Sequence, residues 1–359
     1  MGLELVQALT EGRQDLALAT IIQVQGSSPR HPGAKMLVGG PGSDQPLAGT
    51  VGGGRGEAMA LEACKRCLQD RRSVLLRVEM VGAEVLGTDM VCGGVSTMLI
   101  EHLEDRSLYR AALERLGDGE RVLLVKRLRY AGPQDAGPGP VTVETALLDE
   151  QGRAIHGRAE AREAQAAARA LDRGQAHFDP ETGVFYDPLL PQEKLLILGA
   201  GHVGQALAAL APALGFEVTV VDDRAEFLGE GRLPEGVRAV QAGFGPAIAA
   251  FPFDSATYVV VVTRGHQSDL ECVRVVVGRR WRYAGFMGSA RKTRLIIDQV
   301  RKEGFDPAKV DALSGPIGLD IAAETPMELA VAILGEMIAV RRNAGMLEEL
   351  NRAKESRRA

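Results

Sequence analysis

The chain has 359 residues, more than one hydrophobic core ordinarily serves, so two domains or so are expected. Charged residues make up 25% of it and the net charge is −5, with arginines interleaved among acids as in Glu160-Ala161-Arg162-Glu163, a pattern that excludes an extended basic face for nucleic acid. No apolar run reaches the ~20 residues of a membrane span, Glu4, Glu11, Arg13 and Asp15 break any signal-peptide core, and the four cysteines are too few for a disulfide scaffold, so a cytoplasmic protein with reduced thiols is expected.

The first segment reads as α+β. Leu16 to Val24 is rich in Ala, Ile and Val and predicts a strand, followed by a Gly/Ser/Pro turn from Gly26 to Gly33 and a short strand over Ala34 to Val38. Glycines from Gly49 to Gly54 lead into a helix from about Arg55 to Gln69, and Val74 to Met80 and Val95 to Glu101 predict further strands. Ala131 to Pro140 has the composition of a flexible loop. Val141 to Leu148 is β-branched and strand-like, and Glu160 to Leu171 is Ala-rich and helical. Asp179 to Gln192, with Pro180, Pro188 and Pro191, reads as the end of a connecting region. The domain plan is therefore an N-terminal α+β domain over 1–130, a connecting region with strand and helix over 131–192, a C-terminal α/β domain over 193–343 and a polar tail over 344–359.

From Lys194 the pattern changes to apolar strands alternating with helices. Strands are predicted over Lys194 to Leu198, Glu217 to Val221, Val237 to Gln241, Thr257 to Thr263 and Arg282 to Phe286, and helices over Val203 to Leu214, Gln267 to Val277 and Ala290 to Lys302. This order argues a parallel sheet covered on both faces. A last helix begins at Thr325-Pro326-Met327-Glu328, where Thr325 is an expected N-cap, Pro326 fits the first helical position and Glu328 completes a capping box.

Three constellations carry chemistry. The first, Gly199-Ala200-Gly201-His202-Val203-Gly204, follows the strand Leu195 to Leu198 and opens a helix, the context of a Rossmann dinucleotide fingerprint. Gly199 permits the tight turn, Gly201 lets backbone N–H groups approach a pyrophosphate, and Gly204 lets helix and strand pack closely. Asp222, about twenty residues on at the end of the second strand, is the expected acceptor for a ribose hydroxyl. The bland alternative is a Rossmann-shaped scaffold without a nucleotide. The second constellation is Gly52-Gly53-Gly54-Arg55-Gly56-Glu57 at a helix start. Consecutive glycines there either form an anion nest, with Arg55 forking onto the oxyanion, or a flexible hairpin. The third is Cys92-Gly93-Gly94 between two strands, a thiol open to close approach or, more blandly, a small buried Cys. Cys64 and Cys67, at i and i+3 on a helix, and Cys272 read as core. The histidines do not cluster. His202 lies within the glycine turn, and His266 follows Thr263-Arg264-Gly265 at the carboxyl end of a strand, the edge at which open α/β sheets bind ligands.

At these residues the chain resembles the XdhC/CoxI family, the maturation factors of molybdenum hydroxylases such as xanthine dehydrogenase. The matching segments are Gly26-Ser27-Ser28-Pro29-Arg30 through Gly33-Ala34-Lys35-Met36, Gly49 to Glu57, Cys92-Gly93-Gly94, Gly199 to Gly204, Thr263 to His266, Gly285-Phe286-Met287-Gly288-Ser289 with Arg291-Lys292, Pro316 to Asp320, and Ala323 to Pro326. Gly56 departs from the pattern, where a larger residue such as Leu is expected before Glu57.

The resemblance implies a protein that binds molybdenum cofactor (molybdopterin or its dinucleotide form), promotes exchange of an oxo ligand for a terminal sulfido, and passes the cofactor to an apo-hydroxylase. It implies Cys92 as metal ligand or sulfur relay; the residues of the two glycine-rich constellations and the strand ends, Gly52, Gly53, Gly54, Arg55, Glu57, Gly199, Gly201, His202, Gly204, Asp222, Arg264 and His266, are then the candidate cofactor-binding set. A nucleotide such as NAD(P) is a further candidate for the Rossmann turn. The implied partners are the apo-molybdenum hydroxylase, a sulfur donor such as a cysteine desulfurase, and a second copy of the chain in a homodimer. The competing readings are an NAD(P)-dependent oxidoreductase, against which no Tyr-x-x-x-Lys pair is present, and a nucleotide-binding scaffold.

Overall fold

A computed structural model of the chain describes residues 3–10, 15–26, 28, 30–40, 42–80, 94–130 and 139–342. The chain divides into two compact units, Met1–Pro191 and Gln192–Ala359.

The first unit holds α1 (Leu3–Thr10), β1 (Leu16–Gln25), β2 (Lys35–Gly39), β3 (Ala48–Gly49), α2 (Gly54–Asp70), β4 (Val74–Met80), β5 (Gly94–Leu103), α3 (Ser107–Gly117), β6 (Val122–Tyr130), β7 (Val141–Leu148), β8 (Ala154–His156), α4 (Ala161–Arg173), β9 (His177–Asp179) and β10 (Val184–Leu189). The strands form two antiparallel sheets, ordered β3-β2-β1-β5-β4 and β8-β7-β6-β10-β9. Period-two alternation sorts their side chains. Along β1, Ala17, Ala19 and Ile21 pack with Ala60, Cys64 and Cys67 of α2. Leu16 and Leu18 face the other way, into a cluster with Leu124 and Leu189 of the second sheet and with α1 and α3. The far face of the second sheet, with Leu123, Val125 and Tyr186, is covered by Ala167, Ala170 and Leu171 of α4. The result is a helix–sheet–sheet–helix stack.

Two features of this unit differ from the sequence reading. The stretch over 131–192 is not a separate connecting region: β7 and β10 both pair with β6, so residues 139–191 complete the second sheet. Asp179 to Gln192, read as linker, begins at the last residue of β9 and contains the whole of β10. Pro188 is tolerated on β10 because β9 pairs only with Val184–Tyr186 and leaves the edge beside Pro188 open. The interior between the sheets also carries ions. Lys35 Nζ meets Asp187 at 2.6 Å, and Lys126 Nζ donates to Glu101 and, at 3.5 Å, to the Tyr109 hydroxyl. Burial pulls the Lys35 amine below its ordinary value against the attraction of Asp187.

The second unit holds β11 (Lys194–Leu198), α5 (His202–Leu210), β12 (Glu217–Asp222), β13 (Arg238–Gln241), α6 (Phe244–Ala250), β14 (Thr257–Val261), α7 (His266–Val277), β15 (Tyr283–Phe286), α8 (Ala290–Lys302), α9 (Pro307–Asp311) and α10 (Pro326–Arg341). Its five strands are all parallel and ordered β13-β12-β11-β14-β15. This is the Rossmann order, in which the chain leaves the central strand in one direction and returns on its other side. Leu195 and Ile197 pack under α5 and α10, while Leu196 and Leu198 pack under α6, α7 and α8. Burial on both faces explains why β11 reads as an unbroken apolar run. The capping box at the start of α10 is formed: the Thr325 hydroxyl accepts from the Glu328 N–H at 3.3 Å, and Glu328 accepts from the Thr325 N–H at 2.9 Å.

Candidate functional site

In the second unit the order of strands reverses between β11 and β14, so the crevice at their carboxyl ends is the expected ligand position. Two glycines close it. Gly199 has φ +113°, and a Cβ there would lie 2.5 Å from the Val262 carbonyl oxygen, so the turn after β11 presses directly on the chain leaving β14. A Cβ on Gly204 would lie 1.9 Å from the Gly199 oxygen, which is how closely α5 rides over the turn. Gly201 differs: it is the N-cap of α5, its backbone is extended, and nothing lies within 4 Å of a Cβ placed on it. His202 is exposed at the first helical position.

Across the crevice, Thr263, Arg264 and Gly265 connect β14 to α7. Arg264 is exposed, and His266 is the first residue of the helix. Both α5 and α7 start at a glycine that contributes no side-chain cap. Their first-turn N–H groups, with the positive end of each helix dipole, are left to be satisfied by solvent or by an anion.

Next to this edge lies a group that local sequence did not single out. The buried carboxylate of Asp269, in the first turn of α7, accepts from Thr263 Oγ1 at 2.5 Å and from Lys292 Nζ in the first turn of α8; Lys292 also donates to the Met287 carbonyl at 3.3 Å. The link ties the loops after β14 and β15 together. Their motifs, Thr263 to His266 and Gly288 to Lys292, were visible in the sequence, but their pairing across 23 positions was not.

Asp222 does not stand open at the end of β12. It is fully buried, and its carboxylate accepts from the Ala200 N–H at 2.8 Å and from the backbone N–H and the guanidinium of Arg224 at 2.9–3.0 Å. Burial opposes its charge, but Arg224 and the Ala200 N–H outweigh that and hold the carboxyl below its ordinary value. Asp222 is thus a brace under the glycine turn.

The glycine loop of the first unit has also found its own anion. One oxygen of Glu57 accepts from the Val51 N–H at 3.1 Å, the Gly53 N–H at 3.3 Å and the Thr50 hydroxyl, while the Gly52 N–H bonds the Thr50 oxygen at 3.1 Å. The Thr50 hydroxyl and these N–H groups keep the Glu57 carboxyl below its ordinary value. Of the glycines Gly52 to Gly54, the Gly53 N–H is directed at Glu57 and the Gly52 N–H at Thr50, so the carboxylate held by this loop is the chain's own Glu57. Gly53, Gly54 and Arg55 remain exposed beside it.

Cys92 lies outside the described residues. Cys64, Cys67 and Cys272 are buried free thiols, and burial pushes Cys64 and Cys67 up to about 12, so they are protonated at neutral pH and suited to packing rather than to chemistry. Among the described residues no cluster of three His, Cys, Asp or Glu side chains is placed to hold a metal ion, and no helix is long and apolar enough to cross a membrane. The phenol of Tyr283, on β15, is buried and donates to Glu336 at 3.1 Å, which leaves it unfit as a proton donor to a hydride-transfer substrate.

Comparison with known proteins agrees with this layout. Residues 9–79 match the XdhC and CoxI family model, and residues 195–337 match the XdhC Rossmann domain model. The chain is 26% identical to the uncharacterized protein YqeB of Escherichia coli (strain K12) over 94% of its own length, and spans 45% of that relative. It is 26% identical to a probable xanthine dehydrogenase subunit of Bacillus subtilis (strain 168), covering 96% of this chain and 98% of the relative. It is 23% identical to the molybdenum cofactor insertion chaperone PaoD of E. coli (strain K12), covering 94% and 86%. The crystal structure of a xanthine dehydrogenase from Bacillus halodurans superimposes with a TM-score of 0.71 at 25% identity, covering 95% of this chain and 96% of the other. With both family models falling on its two units in order, the chain belongs to the XdhC and CoxI family.

Proposed function

We propose that this protein binds molybdenum cofactor, promotes its sulfuration and inserts it into a molybdenum hydroxylase such as xanthine dehydrogenase. Membership of the family and the relation to a molybdenum cofactor insertion chaperone support a role in maturation of such enzymes. The observation that carries the reading to residues is the pair of uncapped helix N-termini flanking the Gly199–Gly204 turn. The cofactor is a phosphorylated pterin, sometimes extended by a nucleotide, and the open space in front of Gly201 fits a phosphate or pyrophosphate. NAD(P) is the alternative occupant of the same cradle.

In this reading Gly199 and Gly204 shape the turn, Gly201, His202 and Arg264 line the phosphate approach, and His266 enters through its place as the first residue of α7. Gly52 to Gly54, Arg55 and Glu57 form a second polar loop in the other unit. The metal end is assigned to Cys92, outside the described residues, on the role that the family resemblance implies for Cys92-Gly93-Gly94. When bound, the cofactor supplies the molybdenum whose oxo ligand is exchanged for a terminal sulfido. The sulfur comes from a donor such as a cysteine desulfurase, and the protein works in the cytoplasm as a homodimer.

Reconstitution tests this. Apo-hydroxylase supplied with cofactor and a sulfur donor should gain activity only when the protein is present, and Cys92→Ala should lose most of that gain while Cys64→Ala and Cys67→Ala keep it. Equal activity with wild type and Cys92→Ala would remove the role given to Cys92; equal activity with and without the protein would remove the proposed function.

A further inference from the structure

The carboxylate that the fingerprint assigns to ribose has no capacity left for it. An ionised carboxylate offers about four lone-pair sites. Asp222 Oδ1 accepts from the Arg224 N–H at 3.0 Å and from Arg224 Nε at 2.9 Å, and Oδ2 accepts from the Ala200 N–H at 2.8 Å and from Arg224 Nη2 at 3.0 Å. All four sites are filled, and the group is fully buried. The guanidinium that takes two of them is itself fixed, lying 3.9 Å over the Phe227 ring.

The next residue is different. Asp223 is the first beyond β12, at the same carboxyl edge of the sheet, and its side chain is 57% exposed. Its nearest cation is Arg224 Nε at 3.7 Å, beyond hydrogen-bond length. Asp222 and Arg224 cancel each other's charge. Asp223 and the exposed Glu226, both of which act on Arg224, therefore leave the surroundings of Arg224, just beyond the carboxyl end of β12, with an excess of negative charge.

Resting on the reading that the second unit binds a nucleotide-bearing ligand, we propose that Asp223, not Asp222, reads the ribose. The site then takes a nucleotide with free 2′- and 3′-hydroxyls and rejects one with a 2′-phosphate. An exposed carboxylate accepts from ribose hydroxyls, whereas a phosphate dianion set beside Asp223 and Glu226 meets like charge. Asp222 and Arg224 are positioning residues: they hold the Ala200 N–H, and with it the phosphate turn.

Calorimetric titration of the full chain with AMP, ADP, CDP, GDP and NAD, and in parallel with 2′,5′-ADP (the 2′-phosphorylated form of AMP) and NADP, decides it. Wild type should bind at least one free-hydroxyl nucleotide, about 10-fold or more tighter than its 2′-phosphorylated counterpart. Asp223→Asn should weaken the free-hydroxyl nucleotide about 10-fold, shrink the discrimination and leave the melting temperature unchanged. Asp222→Asn should lower the melting temperature and weaken both classes alike. Tighter binding of NADP than NAD by wild type, or an unchanged ratio in Asp223→Asn, would overturn the assignment while leaving nucleotide binding intact. Failure of every nucleotide to bind would overturn both.

Discussion

At the scale of single residues, the crevice rests on three glycines that do different work, and this separates binding from folding. Gly199 and Gly204 cannot carry a side chain without colliding with backbone at 2.5 and 1.9 Å. Gly201 can, because its φ of −66° and ψ of −174° suit a β-branched residue and the space before it is open. Gly201→Val should therefore stay folded, with only the loss of about 1 kcal/mol expected when a glycine N-cap gives way to Val, and lose affinity for the cofactor or nucleotide. A mutant that bound as well as wild type would show that the ligand lies elsewhere.

Glu57 gives a second residue-scale test, through pH. Its folded-state pKa is depressed, chiefly by the Thr50 hydroxyl, from an ordinary value of 4.5. The stability it adds is thus complete above that ordinary value and is lost as pH falls through the lower, folded-state value. Glu57→Gln should melt below wild type at pH 7, and the gap should narrow progressively as both are acidified below the ordinary value of 4.5. A gap that persists unchanged in acid would mean that the loop is not held by the carboxylate's charge.

At the scale of elements, the legible parts of the sequence were those whose reason for existing is local. Val74–Met80, Val141–Leu148, Lys194–Leu198 and Ala290–Lys302 match the sequence reading residue for residue, because each is a clean run of one periodicity bounded by turn residues. The capping box of α10 is equally local. By contrast, β6 went unread because Lys126, Arg127 and Arg129 interrupt its apolar pattern. Two of these are buried, and their partners are Glu101, 25 positions away, and Glu163, 36 positions away. No neighbouring residue announces such a pairing. The same holds at the candidate site, where the glycine turns were readable but the saturation of Asp222 by Arg224 and the link from Asp269 to Lys292 required the fold.

Helix α2 yields a prediction of its own. Gly56 lies in its first turn with an ordinary helical backbone, and a Cβ there would touch Val78 Cγ1 at 3.7 Å, normal van der Waals contact. The departure from the family pattern is therefore sterically unforced. Gly56→Ala should stabilise the protein by about 0.5–1 kcal/mol by removing glycine's conformational entropy, read as a higher denaturant midpoint. A destabilised variant would indicate that the open glycine is required by the loop Gly52 to Gly54.

At the scale of the whole molecule, the chain joins two units with different architectures, a stack of antiparallel sheets and a doubly wound parallel sheet. Each carries a glycine-rich turn at the start of a helix, but the first turn encloses Glu57 and the second stands open. That asymmetry favours the second unit for ligand binding. It leaves the first unit's loop as a preformed surface whose exposed members are Gly53, Gly54 and Arg55.

The most direct test of this account is to purify the protein from cells that make molybdenum cofactor and to measure bound molybdenum, pterin and nucleotide by mass spectrometry, with Gly201→Val prepared in parallel. The account predicts molybdenum and a phosphorylated pterin in near-equal amounts on the wild-type chain and a marked loss of both from the mutant. Wild-type protein that carries neither, or a mutant that carries as much as wild type, would contradict it.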